Sequence, residues 1–318
     1  MNDTIYGEEG RPYMKVTTNH KDKIYFAFTD AHPRDRATNS IYFMMYKNGK
    51  LYKANGEVIS DSFDKPVMPS QTDKVYDATK TFDKAWIWDV AFDKEENPVL
   101  VYARFSHARS IHSYWYARWN GKQWENHKIT DACQWFMRKD YNNKNNMETE
   151  ENYSGGIYLD HENPSIVYTS RPIDNVFEVE KWTFVGGKNI WKTEAITEKS
   201  ERDNVRPFVV RNYSGDQPNL LWMYNYKYPG FKAYDCAIRV NQKAKGFSSD
   251  LNKAAIKEVA TKVADWQVRD YATSPFSSGS ARGWRNGVLY NGMFDWAELS
   301  GDNKYFEYLN SIFSKEHW

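Results

Sequence analysis

The sequence has few cysteines and no long apolar run. Its two cysteines, Cys133 and Cys236, belong to no CxxC motif and to no His/Cys cluster with the spacing of metal ligands. This argues against a disulfide scaffold and against a structural zinc site. No stretch approaches the roughly 20 apolar residues of a membrane-spanning helix. The N-terminal Met1–Thr4 lacks the basic and apolar regions of a signal peptide, so the sequence as written carries no export signal.

The chain also has almost no net charge. It contains 43 basic and 42 acidic residues in 318, a formal net charge of +1. Nucleic acids and anionic membrane surfaces attract proteins through an excess of basic charge, so we expect neither as a partner. An anionic ligand must instead be bound by local donors. We predict no cofactor and no metal site, because the sequence has no phosphate-binding loop, dinucleotide fingerprint or metal-ligand motif.

Aromatic residues, in contrast, are abundant. Trp, Tyr and Phe make up 17% of the chain and charged residues an ordinary 27%, a composition that excludes disorder as the main state. Up to about residue 240, short β-branched and aromatic runs alternate with Asn-Gly and Gly-Gly turns, which is the pattern of antiparallel hairpins. Examples are KIYFAFTD (23–30), PVLVYARF (98–105) and NLLWMYNY (219–226). This region is predicted to be all β.

One long segment of this region is repeated. WDVAFDKEENPVLVYARF (88–105) aligns with SGGIYLDHENPSIVYTSR (154–171), and the two strands end in Arg104 and Arg171. The offset is about 66 residues, and a period with four strand-like runs is typical of a β-propeller blade, which must stack on its neighbours. The predicted fold class is mainly β, with about four blades of a larger propeller ring followed by helices.

After residue 245 the apolar residues recur at spacings of three and four, which indicates amphipathic helices. The first stripe consists of Ile256, Val259, Ala260, Val263 and Trp266. Further helices are predicted from Trp284 to Leu299 and from Lys304 to Ser314. We therefore predict two domains, a propeller part at 1–245 and the beginning of an all-helical domain at 246–318. The alternative is a helical appendage that packs on the propeller.

Segments of the β region resemble a known family. RPYMKV (11–16), HSYWYARWNGKQW (112–124), YSGGIYLD (153–160) and VYTSR (167–171) resemble the BNR-type propeller of secreted polysaccharide-degrading enzymes. These include ulvan lyases of polysaccharide lyase families 24 and 25 and the related α-L-rhamnosidases. The resemblance implies that the chain holds the C-terminal part of a ring of about seven blades. It also implies that most of the catalytic His, Tyr and Arg residues of the lyases lie in blades before this part.

The helical region resembles a second family. GWRNGVLYNGMFDWAELSGDNKYFEYL (283–309) and VADWQVRD (263–270) are similar to the opening helices of family 105 glycoside hydrolases, the unsaturated rhamnogalacturonyl hydrolases. The resemblance implies that 246–318 begins an (α/α)₆ barrel whose catalytic aspartates come from later helices. A lyase makes the unsaturated uronic acid that such a hydrolase removes. We therefore expect an internal piece of one secreted or periplasmic protein that performs both steps.

The candidate site residues follow from the chemistry of uronate cleavage. A lyase needs a cation for the carboxylate, a base for the C5 proton and an acid for the leaving oxygen. The candidate catalytic residues, near strand ends, are His32, His112, Tyr153 and Arg171. The candidate substrate-binding residues, the last two suggested by the family 105 resemblance, are Arg34, Trp88, Trp115, Trp284 and Asn286. The alternative for each is a structural role, such as core packing or, for Arg171, an ion pair.

The leading functional hypothesis is a carbohydrate-active enzyme. Its partner would be an anionic polysaccharide or oligosaccharide of the ulvan, rhamnogalacturonan or arabinogalactan type, cleaved by β-elimination or hydrolysis. The alternative is a non-catalytic carbohydrate-binding propeller that delivers substrate to the helical hydrolase. An incomplete ring would expose a sheet face, so we expect oligomerisation or aggregation, with the oligomeric state left open.

Overall fold

A computed structural model describes most of the chain, and the protein divides into two compact units, 1–243 and 244–318. The described residues of the first unit form antiparallel β-sheets and those of the second form α-helices. The protein is therefore mainly β, with helices towards its C-terminal end. The described residues are 12–33, 38–106, 111–134, 155–186, 190–213, 219–230, 233–241, 253–273 and 284–315.

The first sheet has six strands in the order β1-β2-β3-β4-β5, and β6 pairs with β3. The strands are β1 (Met14–Thr18), β2 (Lys23–Thr29), β3 (Ile41–Lys47), β4 (Lys50–Tyr52), β5 (Val58–Ser60) and β6 (Asp73–Tyr76). Asn48 and Gly49 join β3 to β4, with φ of 49° and 82°. Two positive φ angles define the type I′ hairpin turn that Asn-Gly favours. A short helix α1 (Ala78–Thr81) leads to the next sheet.

Three further sheets follow in chain order, and every strand pair is antiparallel. The second sheet contains β7 (Lys84–Phe92), β8 (Pro98–Ser106), β9 (Ile111–Trp119) and β10 (Trp124–Gln134). The third contains β11 (Ile157–Leu159), β12 (Ile166–Ile173), β13 (Val176–Gly186) and β14 (Ile190–Ala195). The fourth contains β15 (Asn204–Val209), β16 (Leu220–Gly230) and β17 (Ala233–Val240).

The sheets stack through their first strands, because β1 contacts β7, β7 contacts β11 and β11 contacts β15. Neighbouring first strands run in the same direction. Tyr13, just before β1, contacts Trp86 near the start of β7, and Asn19, just after β1, bonds to Glu96 beyond the end of β7. Each sheet therefore has a strand-start edge, where its first strand begins, and a turn edge, where that strand turns into the second.

Aromatic and branched side chains fill the spaces between the sheets. Along β8, consecutive residues alternate between two cores, because Leu100 and Tyr102 face the first sheet and Val101 and Ala103 face the third. A strand buried on both faces has this nearly continuous apolar sequence. A separate core between the third and fourth sheets contains Tyr168, Val179, Val209, Leu220 and Trp222.

The sequence repeat occupies equivalent turns at the turn edge. Asp93 Oδ1 accepts backbone N–H bonds from Glu95 and Asn97 in the second sheet. Asp160 Oδ1 accepts the corresponding bonds from the two residues 162 and 163 in the third. Aspartate stabilises such turns by accepting hydrogen bonds from backbone N–H groups a few residues further on. The repeat therefore places matching residues of the second and third sheets at the same position, in the turn after the first strand.

The second unit contains α2 (Lys253–Thr273), α3 (Trp284–Ser300) and α4 (Asn303–Lys315), close to the predicted helices. Its core is formed by Ala264, Tyr290, Met293, Ala297, Tyr305, Tyr308, Leu309 and Ile312. The apolar stripe predicted for α2 is not part of this core, because α2 contributes only Ala264 to its buried residues and the larger residues of the stripe are exposed. These exposed residues are Ile256, Val259, Val263 and Trp266. No described helix is long and apolar enough to span a bilayer.

We predict that Gly155→Ala destabilises the sheet unit by about 3 kcal/mol, in the range of an overpacked core. An added Cβ would lie 2.3 Å from the backbone oxygen of Ser170 and 2.6 Å from the ring of Phe177. Gly49→Ala is the control, because its added Cβ meets nothing within 4 Å and only its positive φ costs about 1 kcal/mol. Urea denaturation followed by tryptophan fluorescence measures both, and equal effects would contradict the prediction.

Alkaline pH should also destabilise this unit. Burial raises the pKa of Tyr168 and of Tyr213 from 10.0 to about 12. Between these pH values the unfolded chain loses protons that the folded chain keeps, so the free energy of unfolding falls as pH rises. We expect the Tm of the sheet unit, measured by circular dichroism, to fall between pH 10 and pH 12. Tyr168→Phe should make this fall shallower, and an unchanged slope would contradict the assignment.

Candidate functional site

An aromatic cluster lies at the strand-start edge, between the first and second sheets. His32 follows β2, and its ring centroid lies 4.9 Å from that of Trp86 and 5.5 Å from that of Tyr13. Tyr13 and Trp86 are 5.4 Å apart, and Tyr13 is 42% exposed. We call Tyr13, His32 and Trp86 the rim cluster. It combines an imidazole with aromatic faces of the kind that stack on sugar rings.

His112, in contrast, is completely buried in the core between the second and third sheets. Its ring lies 5.4 Å from Phe105, which is 6.4 Å from Trp86 of the rim cluster. Cys133 Sγ lies 3.3 Å from His112 Nε2. Phe105 therefore connects His112 to the rim cluster, but no part of His112 reaches the surface. A catalytic role for His112 stays a prediction.

Arg171 forms a two-pronged ion pair inside the third sheet. Its Nε donates to Glu180 Oε2 at 2.7 Å and one of its terminal nitrogens donates to Glu180 Oε1 at 3.0 Å. Both oxygens of the carboxylate are used, which is the strong geometry for a guanidinium. An ion pair of this kind is the alternative that the sequence left open for Arg171, in place of a role in binding substrate. Arg171 and the rim cluster are on different sheets and have no described contact with each other.

Trp88 lies at a bulge in β7, where the pairing shifts between Ile87 and Asp89. Arg206 lies at a second register shift, in β15, and adopts a positive φ of 57°. Its guanidinium carbon is 5.4 Å from the Trp88 ring. Bulges re-aim side chains and occur often beside functional sites. They bring a predicted sugar-binding tryptophan next to an arginine that sequence reasoning missed, because a bulge leaves no simple pattern in a sequence.

Trp115 is covered by a second arginine that was not among the predicted site residues. The guanidinium carbon of Arg104 lies 3.5 Å from the Trp115 ring centroid and 3.8 Å from that of Tyr76. Trp115 Nε1 donates to Ser113 Oγ at 2.9 Å. The repeat contained the signal, because Arg104 and Arg171 both lie near the end of the second strand of their segments.

The backbone beside these residues is held by a buried tyrosine. Tyr114 Oη accepts the N–H of Gly156 at 2.8 Å and donates to the oxygen of Ser170 at 3.0 Å. Gly155 O in turn accepts the N–H of Arg206. Tyr114 on the second sheet thus positions the start of the third sheet, which contacts the Arg206 bulge of the fourth.

The remaining predicted residues fall elsewhere. Arg34 and Tyr153 lie outside the described residues. Trp284 is the first residue of α3, and Asn286 is partly buried in the same helix. Both belong to the helical unit. Among the described residues, no group of three or more His, Cys, Asp or Glu side chains is placed to hold a metal ion.

A polar cleft of about 320 Å³ lies at the turn edge, between the turns of the second and third sheets. His161 lines it, with Nε2 2.8 Å from Asp89 Oδ2 and Nδ1 2.9 Å from a terminal nitrogen of Arg211. Arginine can only donate, so Nδ1 accepts and the Nε2–H of a neutral imidazole donates to Asp89. Both ring nitrogens therefore serve contacts between sheets. His161 falls where the other copy of the repeat has Lys94.

Comparisons with known proteins agree with the first resemblance at the level of fold. Residues 1–132 match a family described as BNR repeat-containing family member. No curated protein matches the chain. The chain is similar to a polysaccharide lyase PL25, an ulvan lyase, bound to -[GlcA(1-4)Rha3S]-, with 11% identity and a TM-score of 0.52 over 73% of this chain and 52% of that chain.

Two further solved structures are similar to the chain. A second PL25 ulvan lyase structure has 10% identity and a TM-score of 0.51 over 73% of this chain and 51% of that chain. An endo-arabinase from Bacteroides thetaiotaomicron VPI-5482 has 15% identity and a TM-score of 0.39 over 73% of this chain and 75% of that chain. The chain spans about half the length of the two ulvan lyase structures. The similarity to the lyases establishes a shared fold, and the resemblance to family 105 hydrolases stays a prediction.

We predict that Tyr114→Phe lowers the free energy of unfolding of the sheet unit by about 2 kcal/mol, because it leaves a buried N–H and a buried carbonyl without their partner. Tyr116→Phe is the matched control. Tyr116 lies on the same strand and is equally buried, but its hydroxyl bonds to no described residue. Chemical denaturation of both variants tests this, and a loss for Tyr116→Phe as large as that for Tyr114→Phe would refute it.

Proposed function

We propose that the sheet unit is part of a β-propeller that acts on an anionic polysaccharide of uronic acid and rhamnose, by β-elimination or hydrolysis. The observation that carries the proposal is the fold shared with an ulvan lyase bound to -[GlcA(1-4)Rha3S]-. Sheets that stack through neighbouring first strands are also what a propeller requires. Because the chain spans about half of that lyase, the activity and substrate of the whole protein belong to the proposal.

In this proposal the strand-start edge binds the sugar chain. His32 of the rim cluster is the candidate acid or base, and Tyr13 and Trp86 offer stacking faces beside it. Arg206 on β15 lies over Trp88 and supplies a cation. A uronate carboxylate bound at this edge would need such a cation as its partner. Arg34 and Tyr153 remain candidates. Elimination would place the C5 proton on the base and a proton from the acid on the leaving oxygen.

We further propose that 246–318 begins a family 105-type (α/α)₆ barrel, which would remove the unsaturated uronic acid that a lyase leaves. The order of α2, α3 and α4 supports this, as does the exposed apolar stripe of α2, which is a face that further helices of a barrel could cover. Because polysaccharides are degraded outside the cytoplasm, we propose that the whole protein is secreted or periplasmic.

The second candidate function is carbohydrate binding without catalysis. It is favoured by the burial of His112 and by the ion pair of Arg171 with Glu180, since two of the predicted catalytic residues are then occupied by structural contacts. In this alternative the rim cluster only binds the sugar chain. The helical region would then carry the chemistry.

An absorbance assay separates the two functions. We expect the alkene absorbance to rise when the full chain is incubated with ulvan, rhamnogalacturonan or arabinogalactan if it is a lyase. Binding without such a rise would favour the second function. His32→Ala and Trp86→Ala should weaken binding at least about tenfold, the value of one lost stacking or charge-assisted contact. Lys94→Ala, an exposed change at the turn edge, should leave binding unchanged.

Calorimetric titration with ulvan oligosaccharides measures these affinities. Thermal unfolding of each variant first confirms that the sheet unit is folded. The proposed function would be contradicted if the chain neither bound nor cleaved any of the three polysaccharides.

A further inference from the structure

We propose that Arg104 forms an anion-binding site at the boundary between the first and second sheets, and that this site takes the carboxylate or sulfate group of an acidic sugar. Arg104 lies on β8, Trp115 on β9 and Tyr76 on β6 of the first sheet. We call these three residues the stacked arginine site. The existence of the site follows from its geometry, and only the choice of acidic sugars rests on the proposed function.

The two rings hold the guanidinium without using its hydrogen-bond donors. The carbon Cζ of Arg104 lies 3.5 Å from the Trp115 centroid and 3.8 Å from the Tyr76 centroid. At this distance a planar guanidinium stacks on an aromatic face and is attracted by its π electrons. The N–H groups lie in the plane of the guanidinium, so stacking does not use them as hydrogen-bond donors. The arginine is thus fixed in position with its donors directed past the rings.

The positive charge of Arg104 has no acidic partner within the described part of the chain. One terminal nitrogen donates to the neutral Tyr102 hydroxyl at 3.3 Å. The Nε atom is buried and has no described hydrogen-bond partner. Arg104 is partly buried, so water screens this charge less than it would at an open surface. A partly buried guanidinium of this kind is stabilised by an incoming anion with two acceptor oxygens.

The third sheet contains the same arrangement with its charge already neutralised. Arg171 pairs with Glu178 in the register of β12 and β13, and Glu180, two residues further, accepts both hydrogen bonds. In the second sheet Arg104 pairs with Ser113, and the residue two positions further is Trp115. An indole therefore occupies the position at which the third sheet has a carboxylate.

This substitution explains why Arg171 has an acidic partner and Arg104 has none among the described residues. Replacing the carboxylate by an indole removes the internal anion and adds a flat surface that keeps the guanidinium in place. Compared with the third sheet, the resulting site lacks the two acceptor oxygens of Glu180. A uronate carboxylate and a sulfate ester both supply oxygens with the geometry of the missing carboxylate.

Binding of two monosaccharide anions tests the site. We expect sodium glucuronate or rhamnose 3-sulfate to bind the full chain and to shift the indole N–H resonance of Trp115, and the neutral sugars glucose and rhamnose to cause no such shift. Binding of glucuronate alone identifies a carboxylate site, and binding of the sulfated sugar alone identifies a sulfate site. The Trp115 resonance is assigned by its loss in Trp115→Phe.

Three variants distinguish this site from a structural arginine. Arg104→Met should weaken anion binding at least about tenfold, the loss of a charge-assisted pair of hydrogen bonds. Arg118→Met removes an equal charge from the same sheet, where Arg118 pairs with Asp93 at the turn edge, and should not change binding. Trp115→Glu places a carboxylate where the third sheet has Glu180. It should abolish binding while the Tm stays within a few degrees, and calorimetric titration measures its binding because this variant lacks the Trp115 resonance.

Two results would overturn the proposal. The first is an unchanged affinity in Arg104→Met for the anions that bind the unsubstituted protein. The second is the absence of any shift of the Trp115 resonance with either anion. The polysaccharide assay does not depend on these monosaccharides, so the proposed function would survive both results.

Discussion

The structure depends on one constraint, which is that a sheet with two apolar faces must be covered on both. The second sheet shows it most clearly, because adjacent residues of β8 such as Leu100 and Val101 are buried in different cores. Such a sheet is not stable alone, since each bare face would expose several aromatic and branched side chains to water. The first and third sheets cover it. Stacking of this kind aligns the first strands and hence the edges of all four sheets.

Polar contacts then set the height of each sheet relative to the next. At the turn edge, Lys23 forms an ion pair with Glu96, and His161 connects Asp89 to Arg211. At the strand-start edge, Tyr114 bridges the second and third sheets. Because apolar packing has no direction and hydrogen bonds do, the cores determine that the sheets stack and the polar groups determine their register.

Functional variety arises where the repeat is broken. Two bulges place Trp88 and Arg206 together, although a regular strand would point them differently. A single replacement across one strand pair distinguishes a neutralised arginine, Arg171, from one without an acidic partner among the described residues, Arg104. Repetition thus supplies a stable frame, and individual departures from it supply the groups that we propose to bind an acidic sugar.

Local patterns in the sequence were sufficient for the strands, for the Asn48-Gly49 turn and for the three helices, because side-chain period and turn chemistry act over a few residues. The repeat also placed Arg104 and Arg171 near the ends of matching strands. Only the tertiary structure decided that His112 is buried, that Arg171 is paired and that the α2 stripe is exposed. These properties depend on which residue lies across a strand or on a neighbouring element, and distance along the chain does not encode that.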